Sequence, residues 1–175
     1  MLAVAAGLVL IGSGCSSSQE PSEHGPAATA NPITYYPTFP TGTTFTDGVE
    51  VFVIHGQRPA TIRTVQVLGA SAGMKVLGVR VAGPDRQYGA IEILHRFPPA
   101  DPRLGPLFPA DGYIVHPGPL GAELLIGMKI TEPGVQRRTG IRVTYTVGST
   151  TYQKTYRAAI VNCSPGTRNP GCNSS

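Results

Sequence analysis

Cysteine, serine, histidine and methionine are the side chains here with chemistry to offer, and their spacing narrows what it could be. Cys15 follows an uncharged run, MLAVAAGLVLI over residues 1 to 11, and the small residues Gly12, Ser13 and Gly14. Eleven apolar residues fall short of the roughly 20 that a membrane-crossing helix needs, but they match the apolar stretch of an export signal. Small side chains just before a cysteine suit a peptidase that cuts there. Gly69-Ala70-Ser71-Ala72-Gly73 fits G-x-S-x-G, the nucleophile elbow. That elbow needs a strand before the serine and a helix after it. Here a strand-like run, MKVLGVRV, follows, and a serine between Ala and Gly equally suits a tight hairpin. His55, His95 and His116 with Met74 and Met128 supply the imidazole and thioether ligands that a copper carrier uses. No H-x-H, M-x-M or paired carboxylate accompanies them, and no phosphate-binding glycine loop occurs. No metal or other cofactor is expected.

The segment around Cys15 resembles the lipobox of bacterial lipoproteins, in which the cysteine thiol is joined to diacylglycerol and becomes the new N-terminus. The resemblance covers about the first 15 residues. It implies a signal peptide over 1–14, lipidation at Cys15, and a protein exported to the outer face of the cell membrane and held there by lipid. Two cysteines then remain, Cys163 and Cys172, bracketing the turn-rich SPGTRNPG. Exported proteins meet oxidising conditions, so a disulfide between them is expected, closing a C-terminal tail over 164–175. The C-x8-C spacing is not that of a C-x-x-C redox pair.

With 175 residues and 41% hydrophobic content, the chain can bury a core in one domain. Charge is uneven. Residues 1 to 57 hold four acids and no Lys or Arg, while 58 to 175 hold fourteen bases and six acids, a net +8. A basic domain on an anchor could rest on anionic lipid, on an anionic envelope polymer, or on another cell-envelope protein. The bases are scattered, and only Arg137 and Arg138 are adjacent. With no interleaved basic and aromatic motif, nucleic acid is not an expected partner.

Chemistry of this kind must be held by a scaffold, and the scaffold reads as β throughout. SSSQEPSEHGPAATANP over 16–32 has no large apolar residue, so 15–32 reads as a lipid-anchored flexible tether. ITYYPTFPTGTTF reads as an extended edge segment. GVEVFVIH, ATIRTVQVLG, MKVLGVRVAG, YGAIEIL, AELLIGMKITE, GIRVTYTVG and TTYQKTYRAAIVNC are short, rich in β-branched residues and bounded by Gly and Pro. No window has the 3.6-residue apolar period of a helix, and AELLIGMK alone is ambiguous. About seven strands without helices predict an all-β, two-sheet antiparallel sandwich over 33–163. VGSTTY reads as a hairpin between the last two strands. Two stretches, GQRPATIRTVQVLG at 56–69 and VHPGPLGAELLIGMKI at 115–130, resemble the immunoglobulin-like domains of bacterial extracytoplasmic proteins. That resemblance spans about 45–163 and carries over no functional residue.

One segment does not suit a minimal sandwich. RFPPADPRLGPLFPADGYIVHPGP, 96–119, holds seven prolines and joins two strands. Connections this long are often functional. Phe97, Leu104, Leu107, Phe108 and Tyr113 are its apolar anchors, either as a recognition surface or as a cover for an open sheet edge. The expected function is a non-enzymatic, membrane-anchored binding or scaffolding module. A copper carrier and a secreted enzyme with an unrecognised site are the alternatives.

Overall fold

The computed structural model describes Ser22, residues 25–87 and residues 93–167. Within them run twelve strands: β1 (Ile33–Tyr35), β2 (Thr44–Phe52), β3 (Ala60–Leu68), β4 (Met74–Ala82), β5 (Ile93–His95), β6 (Leu107–Pro109), β7 (Ile114–Val115), β8 (Ala122–Ile130), β9 (Val135–Arg138), β10 (Gly140–Val147), β11 (Thr150–Tyr156) and β12 (Ala158–Cys163). A single 3-10 turn, Pro102–Leu104, is the one helical element described. Sequence patterning resolves about seven strands. β1, β6, β7 and β9 have two to four residues each, too few to show a period, and the run 150–163 breaks at Arg157 into β11 and β12. Ile91 of YGAIEIL lies outside the described residues.

The strands form sheets in the orders β5-β2-β8-β4-β6, β11-β10-β3-β7 and β1-β12-β9. Every ladder is antiparallel except β1 with β12. The hairpin at VGSTTY closes with Val147 opposite Thr150. One core is shared between the five- and four-stranded sheets. Phe45, Phe52, Leu124, Ile126, Met128 and Ile130 come from one side, and Ile62, Ile141, Val143 and Tyr145 from the other. Phe52 meets Tyr145 edge-on across the layer, ring centroids 5.0 Å apart. The arrangement is all-β and sandwich-like.

β8 explains why AELLIGMK has no clean alternation: it is covered on both faces. Leu124, Ile126, Met128 and Ile130 face the shared core. Leu125 on the outer face packs with Ala82 and Leu104, the latter from the proline-rich segment. Gly127 on that same face lies beneath the ring of Phe97, which would overlap any Cβ placed there. The proline-rich segment also supplies β6, which pairs with the outer strand β4, and β7, which pairs with β3. It therefore closes one edge of each of two sheets.

β2 carries a bulge. Asp47 is opposite Ile126 and Glu50 opposite Leu124, so two residues of β2 stand against one of β8. Strict alternation would send positions 47 and 50 to opposite faces; the extra residue puts both on the inner one. There Asp47 pairs with Arg138 of β9, both side chains buried.

Candidate functional site

The sequence between β7 and β8 is His116-Pro117-Gly118-Pro119-Leu120-Gly121. Its prolines leave the backbone little freedom. Gly121 closes the turn at φ 53, a left-handed conformation that favours glycine. A Cβ there would lie 2.6 Å from the Phe52 carbonyl oxygen, so the turn sits directly on β2. With Pro84, Tyr113 and Ile114 it encloses a cleft of about 270 Å³.

Among the described residues of the lining, Tyr113 and His116 are the titratable groups; the rest are aliphatic, proline or glycine. Burial pushes the Tyr113 phenol above its ordinary pKa, and Asp85 adds to the rise while Arg86 opposes it. The phenol is therefore neutral at physiological pH. Ile114 and Leu120 are 52% and 59% exposed, the highest values among large aliphatic side chains of the described residues. Phe108 extends the apolar surface, its ring 5.5 Å from that of Tyr113. A contiguous exposed patch of this kind marks a contact surface more often than isolated apolar residues do. It can exclude water from an apolar group.

The cleft wall is fixed from below by a buried charge. Arg86 donates from Nη1 to the Gly83 and Gly121 carbonyls at 3.0 and 3.2 Å, and from Nη2 to the Leu120 carbonyl. Its Nε lies 3.3 Å from Oε2 of Glu123, a fully buried carboxylate on β8. One guanidinium thus ties three carbonyls around the turn to the central strand. In sequence both residues read as surface charges, because a partner 37 positions away leaves no local signal.

A second charged group lies inside the shared core. Glu50, buried beside Asp47, has its carboxyl pushed up to about 7, by burial first and by the Asp47 charge second, with Arg138 opposing. Tyr156 is raised further, again chiefly by burial, with the Glu50 charge contributing. No group of three or more metal-ligating side chains gathers there or elsewhere among the described residues.

The five anchors of the proline-rich segment divide into two sets. Phe97 lies on Gly127 and Gly78, Leu104 is buried against Leu125, and Leu107 is half-buried beside them. Arg96 reaches this arrangement through a left-handed backbone, φ 70, held by a bond from its N–H to the Thr44 carbonyl. Tyr113 lines the cleft instead, and Phe108 packs its ring against Tyr113. Ile114, Leu120 and the turn up to Gly121 complete the surface and were not among the sequence candidates.

The remaining candidates are not brought together. Ser71 lies in the β3–β4 turn, donating to Oε1 of Gln136 at 2.7 Å and accepting from the Arg137 N–H at 3.0 Å. A strand, not a helix, follows it. Met74 and Met128 are buried in the shared core, while His55, His95 and His116 are exposed at separate turns and strand ends. Cys163 is engaged in a disulfide at the end of β12. Cys15 and Cys172 lie outside the described residues. The stretch read as tether touches the domain at Ser22, which bridges Tyr152, and at Ala27, which bridges Ile54. No helix among the described residues is long and apolar enough to cross a membrane. Comparison with models of protein families and with curated proteins finds no match to this chain.

Proposed function

We propose that this chain is a non-catalytic, extracytoplasmic binding module held at the outer face of the cell membrane by lipid on Cys15. Its recognition site is the cleft between Tyr113–Ile114 and the Pro117–Gly121 turn, and its ligand is an apolar group. The carrying observation is the combination of a stiff proline turn, an apolar lining and, among the described residues, the two most exposed large aliphatic side chains at one place. A site already held in shape loses little conformational entropy on binding. The β-rich region from about 45 to 163 reads as an immunoglobulin-like sandwich. The bond at Cys163 is read as joining Cys172 and closing the C-terminal tail.

Two measurements test this. Intact-mass analysis of membrane fractions should find a diacylglycerol adduct on the wild-type chain and none on Cys15→Ala. Titration with a neutral naphthylamine fluorophore should give saturable binding to the wild type, and Leu120→Asp should weaken it about tenfold or more by putting a charge at the cleft mouth. Equal binding by the two proteins would remove the cleft as the site.

A further inference from the structure

We infer that the cleft end of the domain docks on the lipid bilayer, with Ile114 and Leu120 entering the interfacial region. This rests on the lipid-anchor reading, and the test below separates the two. Hydrogen-bond register supplies the geometry. Ile114 of β7 is opposite Thr61 of β3, whose other neighbour, Thr146 of β10, is opposite Thr151 of β11. Ser22 lies beside that row, bridged to Tyr152, the next residue of β11: its N–H donates to the Thr151 carbonyl, and its carbonyl accepts from the Gln153 N–H at 3.0 Å. The incoming chain and the cleft therefore occupy adjacent levels of the four-stranded sheet, within two residues of its end, where β3 starts and β10 stops. Ala27 passes the same end, bridged to Ile54 just past β2.

Cys15 is seven residues before Ser22. Seven residues reach at most roughly 25 Å when fully extended. A lipid on Cys15 would hold this end of the domain within that distance of the bilayer. Cys163, by contrast, follows β12, which continues beyond the opposite end of β11. So short a tether makes membrane contact an intramolecular event at high effective concentration, and a small apolar patch is then sufficient. Ile114, Leu120 and Phe108, with Tyr113 between, form such a patch. Charge does not choose the partner here: exposed Arg58 and Arg63 at this end are offset by Asp85 and Asp111. The apolar surface does.

The chain has no tryptophan, so one introduced indole reports alone. Leu120→Trp places it at the cleft mouth. Leu77→Trp places it on an exposed position of β4 toward the opposite end. Each full-length protein is purified from membranes, checked by intact mass, and reconstituted into phosphatidylglycerol vesicles containing phosphatidylcholine brominated on its acyl chains. With a lipid adduct on Cys15, bromines should quench about half or more of the emission from position 120 and leave position 77 unchanged. No quenching at 120, or equal quenching at both positions, overturns the docking and leaves the anchor standing. If no adduct is found, the anchor reading fails. The same vesicles added to the unacylated protein then decide docking by itself: selective quenching at 120 sustains it, and its absence overturns it.

Discussion

Replacing Glu50 by glutamine should make the domain more stable at neutral and alkaline pH, and the size of the gain can be worked out. Glu50 is 4% exposed on the inner face of β2, beside Asp47, and the nearby cation, Arg138, is already paired with Asp47. Its carboxyl rises from 4.5 to about 7, chiefly by burial. The unfolded chain gives up this proton near 4.5 and the folded chain only near 7. Between those values the folded state binds more protons, so stability must fall as pH rises. Below the unfolded value both states are protonated and nothing is lost; above the folded value the loss is complete. Each pH unit of that interval is worth about 1.4 kcal/mol, so ionising Glu50 inside the fold costs about 3 kcal/mol. For a domain of this size that corresponds to roughly 10 °C in melting temperature. Glu50→Gln keeps the shape and cannot ionise. Urea unfolding of both proteins from pH 4 to 9 isolates the effect, because other titrating groups are common to both. The difference should be near zero at pH 4, grow through pH 5 to 7, and level off in favour of glutamine. A difference that stays flat, or that favours glutamate at pH 8, would refute the reasoning.

Three further outcomes follow from the packing. Arg86→Met strands Glu123 in the interior and should cost about 3 to 5 kcal/mol in denaturant unfolding, much of it recovered in the double variant with Glu123→Gln. Gly127→Ala drives a methyl into the Phe97 ring and should cost about 1 to 3 kcal/mol; with Phe97→Ala the two losses should be clearly less than additive in a double-mutant cycle. Phe108→Ala removes a ring that is 39% exposed and touches Tyr113, so it should cost about 1 kcal/mol, read as a melting shift of a few degrees, rather than the 3 to 5 of a fully buried phenylalanine.

The strands themselves are legible in the sequence. GIRVTYTVG alternates at the period that a pleated backbone imposes, and Gly148-Ser149 is sufficient to turn it into β11. The proline-rich segment is also legible as an exception, because seven residues with no N–H to donate exclude a long central strand and leave only short edge strands. Everything that depends on which strand lies next to which was decided only by the tertiary structure. Both faces of GVEVFVIH are largely apolar, so alternation could not assign Glu50 to the inside; the bulge opposite β8 did. Arg138 and Asp47 are 91 residues apart, as are no two groups that a local pattern can relate. Phe97 and Leu104 read equally as recognition anchors or as a cover for a sheet edge, and only Gly127 and Leu125 of β8 beneath them decide for the cover. The cleft belongs to the same class. Ile114 and Leu120 are unremarkable in a row of prolines, and they become one surface because β7 pairs with β3 while β8 leaves the same turn for the other sheet. Periodicity is set by a residue's own neighbours along the chain, whereas burial, pairing of charges and concavity are set by neighbours across it.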